Sequence, residues 1–118
     1  MTPNKQTVAA YMEGFRRNDH AMVLSCLTDD VTWEIPGAFQ VRGKPAFERH
    51  IVDEGFVASP AITVSRMTEE ADVVIAEGSV ETRRTDGTML TLMFCDVFEL
   101  RDAKVRRLVS YLVPLGGS

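Results

Sequence analysis

The chain has 118 residues, 45% of them hydrophobic and 25% charged, the balance of one folded globular domain rather than a disordered segment. A formal net charge of −4 with no basic cluster excludes nucleic acid and anionic membrane surfaces as natural partners. No apolar run reaches the length of a membrane span, and the opening MTPNKQTVAAYMEGF mixes polar residues among its apolar ones too often for a signal peptide.

In chain order, the first third predicts helices. Val8, Tyr11, Met12 and Phe15 recur at three- and four-residue spacing and make one apolar stripe. Asn18-Asp19 ends that helix, and Asp19 can cap a second over His20 to Leu27. VTWEI alternates as a short strand that Pro36-Gly37 stops. KPAFERHIVDEGF predicts a third helix, with Pro45 in its first turn and Phe47, His50 and Ile51 along one face.

The second half predicts four strands: Ala61–Thr68, Asp72–Arg84, Thr88–Leu100 and Val105–Val113. Their joints are Glu69-Glu70, Asp86-Gly87 and Asp102-Ala103-Lys104, and VPLGGS is a frayed tail. Helices followed by an antiparallel sheet indicate a single α+β domain over residues 1–118. Cys26 and Cys95 are far apart in sequence and read as buried free thiols of a reducing compartment, which makes the cytoplasm the default location.

The strand TLMFCDVFEL carries an acid, Asp96, at its apolar centre. If Asp86-Gly87 is a two-residue turn, Thr85 pairs with Thr88 and Asp96 falls opposite Glu77. Two opposed carboxylates in an apolar setting do not both stay ionised, so one would hold its proton and act as a hydrogen-bond donor. A bulge would separate the two acids, and Glu77 would then pair with an arginine such as Arg83 or Arg107. Both sheet faces come out apolar, which implies helices on one side and a partner subunit on the other. No metal-ligand spacing, phosphate loop or nucleotide motif occurs, so no metal and no cofactor is implied.

The run VAAYMEGFRRNDHAMVLSCLTDDVTWEIPG, then RGKPAFERHI, then RTDGTMLTLMFCDVFEL and a last strand resembles the NTF2-like superfamily over residues 5 to 113. It is most similar to the SnoaL-like and ketosteroid-isomerase-like branches. That resemblance implies a cone, with three N-terminal helices packed on a strongly curved antiparallel or mixed sheet around a deep apolar pocket. It also implies homodimers through the convex sheet face. In ketosteroid isomerases a helix tyrosine and a protonated strand aspartate hold the substrate oxyanion, a system that is itself a standard example of a neutral carboxylic acid. Tyr11 and Asp96 match those two positions.

The general base of that family precedes a proline, where this chain has Ile35 before Pro36. Glu77 or His50 is then the expected proton mover, while resemblance to SnoaL-like cyclases, which use an inward-facing aspartate as acid/base, gives that role to Asp96 without a base at position 35. The expected pocket residues are Phe15, Trp33, Ile35, Phe47, Ile51, Phe56 and Phe94. On the last strand the resemblance adds Leu108, Ser110 and Leu112, whereas a two-residue turn at Asp102-Ala103 would point Val109 and Tyr111 toward Asp96 instead. The implied function is a cofactor-independent isomerase or cyclase acting on a small hydrophobic carbonyl compound. A non-catalytic binding protein and an epoxide-hydrolase-like enzyme are the alternatives.

Overall fold

A computed structural model of the chain describes residues 1–53, 60–83 and 86–115. Helix α1 spans Pro3–Arg16, α2 His20–Ser25 and α3 Lys44–Asp53. Strands β1 (Leu27–Ile35) and β2 (Phe39–Arg42) lie between α2 and α3; β3 (Ala61–Glu70), β4 (Val73–Arg83), β5 (Met89–Arg101) and β6 (Lys104–Pro114) follow. One six-stranded sheet results, in the order β2-β1-β6-β5-β4-β3, with β1 and β6 parallel and every other pair antiparallel.

Local chemistry sets the helix ends. Thr2 accepts the Lys5 amide at 3.1 Å ahead of Pro3, and Asp19 accepts the Met22 amide at 3.0 Å. Helix α1 lies on the inner face of the sheet against β3, β4 and β6. It is tied there by Arg16 Nε, which donates to the Ile62 carbonyl at 2.8 Å, and by Thr7, whose hydroxyl donates to the Ala103 carbonyl at 2.7 Å. Val8, Phe47, Phe98 and Leu108 are wholly buried beneath it. Burial of each such side chain stabilises the fold by about 1.5–3 kcal/mol.

The strand joints differ from the expected ones in an informative way. The β3–β4 turn is Ala71-Asp72, not Glu69-Glu70, and both residues have positive φ (50° and 62°). The β5–β6 turn is Asp102-Ala103, again left-handed at both positions (52° and 59°). An alanine in that conformation is uncommon, which hid the first of these turns from composition.

At the β4–β5 hairpin Arg83 faces Met89, so Ala76 faces Asp96 and Glu77 faces Cys95. The expected pairing of Glu77 with Asp96 is therefore corrected by one residue. Asp86 accepts both the amide (2.9 Å) and the hydroxyl (2.6 Å) of Thr88, which draws Thr88 into the turn rather than the ladder. A one-residue slip turns every side chain over. Val74, Ala76, Gly78 and Val80 consequently share the inner face with Phe94, Asp96 and Phe98, while Ile75 and Glu77 lie outside with Met93, Cys95 and Val97.

Two bulges bend the sheet. Ser65 is the extra residue of β3 between Val64 and Arg66, and Arg106 is the extra residue of β6 between Val105 and Arg107. The second bulge restores what the tight Asp102-Ala103 turn would have reversed. Ser110 now faces Asp96, Leu108 faces Phe98 and Leu112 faces Phe94. Glu99 holds the bulge by accepting from both Arg106 (2.7 Å) and Arg107 (2.6 Å).

Gly78 of β4 pairs with Val64 of β3 and has no room for a side chain. A Cβ there would sit 1.9 Å from the Thr63 carbonyl oxygen and 3.0 Å from the Phe94 ring. Gly78→Ala is expected to destabilise the fold by roughly 2 kcal/mol or more. Urea unfolding measures it, and an unchanged midpoint would contradict the close approach.

Candidate functional site

The curved sheet and α1 enclose a cavity of about 220 Å³. Tyr11, Met12, Phe15 and Asn18 line it from α1 and the segment after it, Trp33 and Ile35 from β1, and Ile51 from α3. Pro60, Ile62 of β3, Val80 of β4, Leu92, Phe94 and Asp96 of β5 and Ser110 and Leu112 of β6 complete the lining from the sheet side. Strand alternation places Leu92, Phe94 and Asp96 in a row on one face. The walls are apolar apart from Tyr11, Asn18, the Trp33 indole N–H, Asp96 and Ser110.

Asp96 is 8% exposed, and its Oδ1 is buried with no hydrogen-bond partner. Burial raises its carboxyl to about 7, and the Ser110 hydroxyl opposite it pulls the other way. The Asp96 proton is therefore evenly balanced near neutral pH. Tyr11 is also buried, and burial followed by the nearby Asp96 charge holds its hydroxyl well above the ordinary tyrosine value, so it remains a donor. Its ring is fixed edge-on by Phe15 (5.0 Å), Phe98 (5.3 Å) and Phe47 (6.4 Å).

Two expected proton movers are not brought to the cavity. Glu77 lies on the outer face, paired with Arg66 at 3.0 Å, because the ladder register turned it over. His50 is not among the lining residues; its ring lies against Phe39 (3.5 Å between centroids) and Trp33 (5.6 Å). Phe47 and Leu108 are wholly buried behind the lining rather than in it, Phe47 stacking on Trp33 at 4.5 Å. Phe56 falls outside the described residues. Ile35 lines the cavity where a general base was sought.

Met12, Asn18, Pro60, Ile62, Val80 and Leu92 join the expected residues in the lining. Val80 is inward because of the β4–β5 register, and Leu92 because it alternates in step with Phe94 and Asp96. Among the described lining residues Asp96 is the one carboxyl, and no histidine, lysine or arginine joins it. Among the described residues no group of three His, Cys, Asp or Glu could hold a metal, and no helix is long and apolar enough to cross a membrane. Cys26 is a buried free thiol and Cys95 a half-buried one.

The sequence matches the SnoaL-like domain family over residues 8–108. The chain belongs to that family. The same fold appears in solved structures less than 25% identical to this chain, a likeness that bears on the fold alone. An M. tuberculosis epoxide hydrolase of the LEH-like type aligns at 20% identity and a TM-score of 0.83, covering 94% of this chain and 83% of that one. TerC, co-crystallised with polyporic acid, aligns at 24% and 0.84, covering 92% and 90%. A candidate polyketide cyclase from Xanthomonas campestris pv. campestris aligns at 21% and 0.81, covering 92% and 89%. No curated protein matches the chain in sequence.

A raised carboxyl inside a SnoaL-like cavity has a stability signature. Below about pH 4 both folded and unfolded chains carry the Asp96 proton; from there to about 7 only the folded chain does. The unfolded state binds fewer protons over that window, so this contribution to stability is lost as pH rises through it, by up to roughly 4 kcal/mol. Asp96→Asn is expected to remove that slope and to be the more stable protein above pH 7. Urea midpoints of both proteins between pH 4 and 8 check it; parallel curves would refute a raised Asp96.

Proposed function

We propose that the protein is a cofactor-independent isomerase or cyclase acting on a compact apolar carbonyl compound, with Asp96 as its acid/base group and Tyr11 as hydrogen-bond donor to the substrate oxygen. The observation that carries this reading is Asp96 itself: a carboxyl buried in the wall of an apolar cavity, with Oδ1 unpartnered and its proton affinity raised by burial to about 7. Glu77 and His50 are not in the lining, so Asp96 is the group that moves the proton. As a carboxylate it takes a proton from the carbon beside the carbonyl. The C–H electron pair becomes a carbon–carbon π bond and the carbonyl π pair moves onto the oxygen, where the Tyr11 hydroxyl meets the developing charge. The resulting carboxylic acid then returns the proton to another carbon or to an oxygen.

The cavity volume of about 220 Å³ lies under the roughly 300–1,000 Å³ of drug-sized sites, which favours one- or two-ring molecules over long polycycles. Non-catalytic binding of the same kind of molecule is the second reading, favoured by Ile35 at the expected base position. An epoxide-hydrolase reaction would need a second carboxylate and an arginine beside Asp96, and the described lining supplies neither. We also propose a homodimer, because Ile75, Met93, Tyr111 and Val113 form an exposed apolar band on the outer sheet face.

Deuterium exchange at the α-carbons of small cyclic ketones and 1,3-diketones, followed by NMR, tests the chemistry without knowledge of the product. Exchange is expected to rise with pH through about 7 as Asp96 ionises. Asp96→Asn should lower it by about 10²–10⁴-fold and Tyr11→Phe by about 10²-fold, with Glu77→Gln and His50→Gln unchanged. Binding of these ketones without exchange would favour the second reading.

A further inference from the structure

Trp33, Ser110 and Asp96 form a buried polar row across three adjacent strands. Trp33 lies on β1 beside Leu108 of β6, and Ser110, two residues along β6, faces Asp96 of β5. Trp33 Nε1–H donates to Ser110 Oγ at 3.1 Å, and all three residues are buried. The indole is held for that contact by stacking on Phe47 at 4.5 Å and by Phe39 edge-on at 5.0 Å.

An indole nitrogen can only donate, so this bond occupies a lone pair of the Ser110 oxygen and turns the hydroxyl proton away from Trp33. Across the sheet on the same face lies the Asp96 carboxyl, the cross-strand neighbour of Ser110. The Ser110 hydroxyl favours the ionised form of that carboxyl.

We propose that Trp33 and Ser110 are positioning residues: the indole orients the Ser110 hydroxyl so that it donates to the Asp96 carboxyl and fixes how that carboxyl is presented to the cavity. This rests on the reading of Asp96 as the acid/base group and adds to it how the carboxyl is oriented and how its proton affinity is set. The direction of the Ser110 effect agrees, since it opposes the rise that burial causes. The other titratable side chain facing Asp96 among the described lining residues is Tyr11, from α1. Glu77 and Cys95 lie on the opposite face of the sheet. With no cation in the described lining, the serine hydroxyl is the group that favours the carboxylate.

Carboxyl ¹³C NMR of aspartate-labelled protein, titrated without ligand, reads this directly. Ser110→Ala is expected to move the Asp96 midpoint up by about one unit, since a hydrogen bond to a charged group is lost. Trp33→Phe keeps the aromatic wall and should raise it by less, because Ser110 retains its hydroxyl but not its orientation. The double variant should match Ser110→Ala alone, as two links of one chain do. Ser110→Thr and Ser110→Val keep similar bulk; Thr should stay near the parent midpoint and Val should follow Ala. A midpoint unmoved or lowered by Ser110→Ala and Ser110→Val overturns the proposal, and fully additive shifts overturn the part played by Trp33. These measurements need no substrate, so their outcome is independent of whether Asp96→Asn abolishes ketone exchange.

Discussion

The register of the β4–β5 ladder decides what the cavity contains. With Ala76 opposite Asp96, the strand interior delivers a carboxyl flanked by Phe94 and Phe98 to the concave face. A slip of one residue would have put Glu77 on the same face as Asp96 and turned Ala76 and Val80 to the other. At the described end of this hairpin the Asp86 carboxylate takes the amide and hydroxyl of Thr88, which leaves Thr88 outside the ladder.

Once inward, Asp96 takes its properties from its surroundings. A carboxylate removed from water without a cation or several donors is disfavoured, so its proton affinity rises into the neutral range. The same apolar walls that exclude water also define the kind of ligand the cavity admits, and α1 brings Tyr11 to the same space. Burial keeps Tyr11 protonated, which makes a donor of one group and a balanced acid/base of the other. The two roles follow from one cause, desolvation acting on groups of different intrinsic acidity.

The bulges matter for the same reason. Tight turns with two left-handed residues close β3–β4 and β5–β6, and in the second hairpin that turn alone would point Val109 and Tyr111 inward. The extra residue Arg106 in β6, clamped through Glu99, reverses the alternation and presents Ser110 to Asp96. Local irregularity here aims a side chain rather than weakening the strand.

Periodicity and turn chemistry by themselves determined a great deal. The apolar stripe of α1, the Asp19 cap, the long strands of the second half and the α+β class are all legible in residue order, because helix and strand periods differ. The inward Asp96, flagged by its misfit with an apolar strand, was legible too. Strand β2 was not, since four residues after Pro36-Gly37-Ala38 carry too little pattern to separate from a loop. The faces of Glu77 and Val80, and the route by which Ser110 turns inward, were decided by tertiary structure alone. Each depends on a single residue gained or lost at a turn or bulge, and period-two alternation has no memory of which face it started on.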